Sequence, residues 1–223
     1  MITITRSLLA STLLLGACTA DDDPGTGSET LYVRATVTAV SELPDERDPG
    51  RYISQYRATV WGVDQRELAI ESVTVTSAAG SVDLLWSPDG GWWGEQYGYQ
   101  QTYTLDIDAG DDYLSGARLV GPDLHTIESP AQDGTVSGRE DLNVTWAHDQ
   151  IADHAQVSTL NLTATGIEDT GEFVVPLQML NVEQGSYDRV HVRRGNMLRP
   201  AGAAPDSTFS VDVESHVTFA IAP

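Results

Sequence analysis

The stretch from Phe209 to Ile221 decides the fold class, and it reads Phe-Ser-Val-Asp-Val-Glu-Ser-His-Val-Thr-Phe-Ala-Ile. Its odd-numbered positions are apolar apart from Ser215, whereas its even-numbered positions are polar or small. Successive side chains of a β-strand point to opposite faces, so this alternation predicts one long strand with a single buried face. An amphipathic helix would instead need apolar residues three and four positions apart.

The same period of two recurs in shorter runs, which are residues 31–39, 73–76, 105–108, 142–146 and 160–164. Clusters rich in Gly, Pro and Asp separate them, as at 87–91, 109–112 and 132–134. Short alternating strands spaced by turns, with no long amphipathic helix, predict an all-β chain. The length of 223 residues exceeds the commonest domain size of about 100–150 residues, which favours two small antiparallel β-sandwich domains.

The N-terminal segment has the composition of an export signal. Arg6 is followed by an apolar run over residues 8–15, which is too short to cross a bilayer as a helix, and then by Gly16 and Ala17. The segment Leu-Gly-Ala-Cys at 15–18 resembles the lipobox of bacterial lipoproteins. That resemblance implies cleavage before Cys18, transfer of a diacylglycerol to its thiol, and further acylation of the new amino group, which together hold the protein on a membrane. The alternative is an ordinary secretory signal with a chance cysteine near its end.

Residues 18–29 carry three consecutive aspartates and no apolar side chain larger than Ala after the cysteine, so we expect an acidic, flexible tether. The expected order is therefore a signal peptide at 1–17, the tether at 18–29, and sandwiches at 30–121 and 122–223. The boundary is placed at Gly121-Pro122, where a strand over 114–120 ends. In some lipoproteins an Asp after the lipidated cysteine marks inner-membrane retention. Because Thr19 stands there, the resemblance favours the outer membrane of the cell envelope.

The second half carries a recurring sandwich pattern: a first strand at 125–130, a strand over 142–146 that ends in Trp146, and a neighbouring strand over 155–163. It resembles immunoglobulin-like or fibronectin type III-like modules of bacterial surface proteins. Cys18 is the only cysteine, so the antibody-type variant with a disulfide around the Trp is excluded.

Charge narrows the range of partners. The chain has 12 basic and 33 acidic residues, a net charge of −21, and every basic residue is Arg. A surface this negative repels phosphate backbones, which argues against nucleic acid as a partner.

The most suggestive stretch for binding is residues 86–99, where five aromatic side chains surround a glycine-rich turn. Large exposed aromatic residues mark binding surfaces, so Trp92, Trp93, Tyr97 and Tyr99 are candidate ligand-binding residues for a glycan or peptide. The competing interpretation is that these rings close one end of the sandwich core.

Two stretches could suggest metal ions. Residues 106–112 contain four aspartates but lack the register of a calcium loop, which favours a strand followed by a turn. His148 and His154 share a loop with Asp149 and Asp153, but their spacing fits no ligand pattern, which favours a polar loop. No metal site is therefore predicted.

No nucleophile elbow, His-Glu-x-x-His pair, P-loop or dinucleotide glycine pattern occurs, so neither an enzyme activity nor a cofactor is expected. The sequence predicts a membrane-anchored envelope lipoprotein that acts as an interaction or structural module. The candidate partners are a glycan or an envelope protein, and in the alternative interpretation the chain is a carbohydrate-binding lipoprotein that uses residues 86–99.

Overall fold

The structure is a computed structural model that describes residues 21–63, 66, 68–88, 91–181 and 186–222. Its strands in chain order are β1 Thr26–Gly27, β2 Leu31–Ser41, β3 Tyr52–Gly62, β4 Ser72–Ser77, β5 Gly80–Asp83, β6 Leu85–Ser87, β7 Gly91–Tyr97, β8 Thr102–Ala109, β9 Asp112–Val120, β10 Thr126–Ser129, β11 Thr135–Ser137, β12 Leu142–Ala147, β13 His154–Ser158, β14 Thr165–Ile167, β15 Glu172–Val175, β16 Tyr187–Leu198 and β17 Thr208–Ala222. Single 3-10 turns occupy Pro49–Arg51 and Leu177–Met179. The all-β fold class is confirmed.

The strands form three sheets. The five-stranded sheet has the order β1-β9-β8-β4-β5, and the three-stranded sheet has the order β10-β12-β15. The nine-stranded sheet has the order β14-β13-β16-β17-β2-β3-β7-β6, and β11 also pairs with β17. Most neighbours are antiparallel, as expected, but β17 pairs in parallel with both β2 and β11.

Strand β17 connects the two halves of the molecule. Its buried positions alternate as the sequence predicts, with Phe209, Val211, Val217, Phe219 and Ile221 all buried. The strand pairs along most of its length with β16 on one side. On its other side, residues 208–214 pair with β2 and residues 220–222 pair with β11. One continuous sheet therefore extends across both sandwiches.

Two separate clusters of buried apolar residues lie on this sheet. The first contains residues of β2, β3, β4, β8 and β9 together with Phe209 and Val213, and the second contains residues of β10, β12, β13, β15 and β16 together with Val217 and Phe219. Burying a Phe side chain contributes about 1.5–3 kcal/mol, so β17 stabilises both clusters. The domain boundary at 121/122 stays a prediction. The N-terminal half of β17, although it follows that boundary, packs in the first cluster.

The strand order of the second half differs from the sequence expectation. Trp146 is buried, as predicted, but its strand β12 pairs with β10 and β15. Strand β13 instead lies in the nine-stranded sheet, between β14 and β16. Residues 160–164 form no strand, because the backbone N–H of Leu162 donates to the Thr159 hydroxyl and the N–H of Thr159 donates to the Leu162 carbonyl, which closes a turn.

The start of the described chain corrects the predicted tether. Residues 21–29 do not extend as a free segment, because β1 pairs with β9 in the register Thr26 to Ser115 and Gly27 to Leu114. A further bridge joins Asp23 to Arg118. The predicted signal peptide and Cys18 lie outside the described residues.

Candidate functional site

The candidate site is the outer face of β3 and β7, which we call the aromatic face and define by Trp61, Arg57, Trp93, Glu95 and Tyr97. Strand alternation places positions 93, 95 and 97 of β7 on one side of the sheet. The register sets Trp93 opposite Arg57, Glu95 opposite Gln55, and Tyr97 opposite Ile53. On the other side of β7, Leu85 of β6 lies opposite Trp93.

The aromatic face exposes two large rings. Trp93 is 46% exposed and Tyr97 is 81% exposed. At about 3.3 Å per residue, their Cα atoms are roughly 13 Å apart along the strand. An open groove of about 390 Å³ adjoins Trp93, and its lining includes Gln55, Arg57 and Glu95. Rings that can stack on a ligand thus lie beside side chains that donate and accept hydrogen bonds.

The predicted binding residues divide between different parts of the fold. Trp92 points to the opposite side of β7 from Trp93 and is half-buried against the first cluster of buried apolar residues. The centroids of the Trp92 and Trp86 rings are 5.8 Å apart. Its Nε1 is buried and has no hydrogen-bond partner among the described residues. Residues 86–99 are therefore not one exposed loop but the β6–β7 hairpin, whose two faces have different environments.

The prediction that Tyr99 binds a ligand is wrong, because Tyr99 is only 7% exposed and belongs to the first cluster of buried apolar residues. Its hydroxyl donates to the Pro122 carbonyl, and burial raises its pKa well above the usual value. The preceding Gly98 has a φ of +88°, a conformation that glycine tolerates best, and the strand ends there. The chain then turns inward, so Tyr99 cannot contribute to a surface site.

Trp61 and Arg57 were not among the predicted binding residues. Both lie on the odd-numbered, outward phase of β3, and Trp61 stacks on Tyr32 of β2 with ring centroids 4.6 Å apart. The guanidinium group of Arg34 lies over the Tyr32 ring, with its central carbon 5.7 Å from the ring centroid. The period of two within residues 53–61 was the signal that could have identified them.

The stretches that could suggest metal ions form other structures. Residues 102–120 fold as β8, a tight turn and β9, in which Asp106 Oδ1 accepts from the Ser115 hydroxyl at 3.1 Å and from the Gly116 N–H at 2.8 Å. His154 Nε2 lies 3.1 Å from Asp212 Oδ1, whereas His148 Nε2 lies 3.8 Å from Asp169 Oδ1. Within the described ranges, no group of three or more His, Cys, Asp or Glu is arranged to hold a metal ion.

His191 and His216, on the polar phases of β16 and β17, stack across the strands with ring centroids 5.4 Å apart. His191 Nδ1 lies 2.9 Å from Glu214, and Arg193 also donates to this carboxylate. Burial alone would raise the pKa of Glu214, but these two hydrogen bonds lower it to about 2. The cluster is a partly buried, charge-paired group on the sheet.

Comparisons with known proteins reveal similarity at the level of structure only. No family model matches the chain, and no curated protein matches it. Solved structures similar to it include a Ca²⁺-stabilized adhesin with which an Antarctic bacterium binds ice (12% identity, TM-score 0.27, 84% of this chain and 49% of the adhesin). Others are the fibronectin(III)-like modules of CbhA from Clostridium thermocellum (12%, 0.27, 83% and 93%) and the BSP domain of a biofilm associated protein (13%, 0.26, 86% and 30%).

The chain thus spans about half the length of the ice-binding adhesin structure. At these identities and TM-scores, the similarities support no statement about ligand or activity. In the part of the chain that the structure describes, none of the helices has the length and apolar character needed to span a bilayer.

Proposed function

We propose that this protein is a non-enzymatic interaction module of the bacterial cell envelope, anchored by lipid at Cys18, and that the aromatic face binds a glycan. The observation that carries the glycan proposal is the exposure of Trp93 and Tyr97 on one face of β7, with Glu95 between them and Arg57 beside them. The lipobox-like sequence at residues 15–18 supports the anchor.

The chemistry of sugars explains why this arrangement suits a glycan. A pyranose ring has an apolar face of C–H groups, which packs on an aromatic ring, and a rim of hydroxyls, which need hydrogen-bond partners. Trp93 and Tyr97 supply flat apolar surfaces, while Gln55, Arg57 and Glu95 supply donors and acceptors. Two rings on residues whose Cα atoms are roughly 13 Å apart would engage separate units of an extended chain rather than a single monosaccharide.

The binding test measures retention of the purified protein by immobilised glycans, including peptidoglycan, chitin, cellulose and soluble oligosaccharides on an array. Trp93→Ala and Tyr97→Ala should each weaken retention about tenfold or more, because losing a binding hot spot costs on the order of 2 kcal/mol. Trp86→Ala is the matched control: this Trp is 60% exposed but lies on the opposite face of the hairpin.

The outcomes separate the two kinds of partner. Glycan retention that survives both substitutions would refute the aromatic face as the site. If no glycan is retained but an envelope protein is captured in a manner that depends on Trp93 and Tyr97, the partner is a protein. Aromatic residues and Arg also dominate protein interfaces, so this outcome is the natural competitor.

The anchor has its own test. Mass spectrometry of the N-terminal peptide from membrane fractions should detect an acylated peptide that begins at Cys18, and Cys18→Ala should release the protein from the membrane. An unmodified N-terminus on a freely secreted protein would contradict the anchor without affecting the binding test.

A further inference from the structure

Residues 21–29, which we call the strap, are fixed along the edge of the five-stranded sheet. The N–H of Asp23 donates to the Arg118 carbonyl at 2.9 Å, and the N–H of Arg118 donates to the Asp23 carbonyl at 2.8 Å. Farther along, the N–H of Ser28 donates to the Tyr113 carbonyl at 3.0 Å. The strap therefore follows β9 over nearly its whole length, in the antiparallel direction.

A second contact holds the strap from its other side. The N–H of Ala201 donates to the Pro24 carbonyl at 2.9 Å, and the N–H of Glu29 donates to the Gly202 carbonyl at 3.0 Å. The loop between β16 and β17 thus contacts the strap, which lies between that loop and β9. Backbone groups paired on both sides are the mark of a docked segment rather than a solvated linker.

The aspartate run of the strap also has specific partners. Asp22 accepts a hydrogen bond from the Val120 N–H at 2.8 Å, and Asp23 accepts one from the Gly25 N–H at 2.9 Å. Arg118 donates from its Nε to the Asp21 carbonyl at 2.9 Å. The aspartate run is therefore part of the docking contact.

Two glycines make the close approach possible. A Cβ at Gly27 would lie 2.3 Å from the Gly202 carbonyl oxygen and 2.4 Å from the Tyr113 carbonyl oxygen, both of which are backbone atoms. A Cβ at Gly25 would lie 2.6 Å from the Ser115 carbonyl oxygen, and this residue also has a φ of +71°. Since backbone atoms cannot move aside as a side-chain tip can, even alanine at position 27 should displace the strap.

The strap and the exposed rings of β7, Trp93 and Tyr97, lie toward opposite edges of the first sandwich. Strand β1 is one edge of the five-stranded sheet and β5 is the other, which at about 4.8 Å per strand puts them roughly 19 Å apart. Strand β5 contacts β7 in the facing sheet, where a Cβ at Gly94 would meet Val82. Strand β9, beside the strap, contacts β2, β16 and β17 instead.

We infer that the docked strap holds the protein directly against the lipid surface, with the β1–β9 edge toward the bilayer and Trp93 and Tyr97 of the aromatic face directed away from it. This inference rests on the proposed anchor at Cys18. Cys18 is three residues before Asp21, so their Cα atoms are at most about 11 Å apart. Without docking, the free segment would extend to Thr30 and span up to about 43 Å.

The partner of this edge is the surface of the membrane in which the anchor is embedded. The short distance from Cys18 to Asp21 leaves little room for the module to rotate end over end, so the anchor point sets its orientation. The net charge of −21 argues against attraction to anionic headgroups, and the orientation therefore comes from the strap and not from surface electrostatics.

The first experiment tests docking without the lipid. Hydrogen exchange followed by mass spectrometry is applied to the full chain carrying Cys18→Ala, with and without Gly27→Ala. We expect peptides covering residues 21–29 to be protected in the first protein and to exchange at least tenfold faster in the second, while β17 stays protected in both. Gly166→Ala is the control, since a Cβ there would meet no atom within 4 Å. Rapid exchange of residues 21–29 without Gly27→Ala would overturn the inference.

The second experiment tests orientation on phosphatidylcholine vesicles that contain an acceptor-labelled lipid and the lipidated protein. A donor dye is placed on Ala201→Cys, beside the strap, or on Leu85→Cys, on the exposed side of β6. We expect stronger energy transfer from position 201 than from position 85, and Gly27→Ala should reduce the difference. Equal transfer from the two positions in the otherwise unchanged protein would overturn the inference. Failure of the anchor itself is distinguishable, because an unlipidated protein would not float with the vesicles.

Discussion

Replacing Arg194 should destabilise the protein far more than replacing its neighbour Arg193. Arg194 lies on β16 and is fully buried. Its Nε donates to Asp169 at 2.9 Å, and its Nη1 donates to the carbonyl and the carboxylate of Asp123 at 3.1 and 3.2 Å. Its Nη2 also donates to the Gln150 carbonyl. Arg194 therefore joins β16 to the loop segments that contain Asp123, Gln150 and Asp169.

The magnitude follows from what the substitution leaves behind. Asp169 is buried with its side chain 0% exposed. Burial alone would raise its pKa, but hydrogen bonds from Arg194, Ala152 and Trp146 hold the pKa below its usual value. Arg194→Met removes the cation and leaves this carboxylate uncompensated, which costs about 3–5 kcal/mol. For a chain of this size each kcal/mol shifts the melting temperature by about 2–4 °C, so the expected decrease is roughly 6–20 °C.

Arg193→Met provides the matched control. Arg193 is the preceding residue of the same strand, its side chain is 37% exposed, and it donates to Glu214 at 2.6 and 2.9 Å. When Arg193 is removed, Glu214, whose side chain is 15% exposed, keeps its hydrogen bond to His191, so the expected cost is about 1–2 kcal/mol. This variant should lower the melting temperature by about 2–8 °C.

The assay is urea unfolding followed by tryptophan fluorescence, with calorimetry as an independent measure. Trp146 reports directly on the site, because its Nε1 donates to Asp169 at 2.9 Å. Equal losses of stability in the two variants would refute the reasoning, since they would mean that full burial of Arg194 and Asp169 adds nothing beyond a partly exposed pair. A loss below about 1 kcal/mol for Arg194→Met would refute it as well.

Three further predictions concern pH and cooperativity. Burial lowers the pKa of His125 to about 4. Below about pH 6.5 the unfolded state therefore takes up a proton that the folded state excludes, so the free energy of unfolding should fall between pH 6.5 and 4. Thermal melts of His125→Gln should show a smaller fall over this range. The hydrogen bond to Asp212 raises the pKa of His154. The stabilisation that this bond gives the folded state is therefore complete below about pH 6.5 and is lost as the pH rises through the pKa of the folded state. His154→Gln should remove this decline in thermal stability. Phe209→Ala and Phe219→Ala should each lower the free energy of unfolding by about 3–5 kcal/mol. Each variant should still unfold in one calorimetric transition, because β17 belongs to both clusters of buried apolar residues. Two separate transitions would show that the sandwiches unfold independently.

The alternation of apolar and polar residues predicted the strands well where one face of the sheet is buried. Residues 209–221 lie in β17 with the buried side that the pattern predicts, and residues 142–147 form β12 with Trp146 in the core. The prediction failed at residues 160–164, where leucines at alternate positions belong to a turn and Leu160 is exposed. A run of five residues cannot reveal whether a partner strand is available to complete its hydrogen bonds.

The candidate site was predicted only in part, for a related reason. Adjacent residues of a strand point to opposite sides, so Trp92 and Trp93 could not both be exposed on one face once β7 had formed. Which of the two points outward depends on where the five-stranded sheet packs. Tyr99 is buried because the chain turns into the first cluster of buried apolar residues after Gly98. Arg57 joins Trp93 because β3 pairs with β7 across more than thirty residues of sequence, and Trp61 lies farther along the same outward phase of β3.

By itself, the sequence determined the fold class, the alternation of each main strand, the absence of any internal disulfide and the strongly negative charge. These are local or compositional properties, which a strand carries regardless of its neighbours. Only the tertiary structure decided that β17 completes both sandwiches, that residues 21–29 dock on β9, and that Trp93 and Tyr97 share an exposed face while Tyr99 does not. The physical reason is that a period of two assigns side chains to two faces, whereas hydrogen-bonding partners and the packing of a second sheet come from distant segments of the chain.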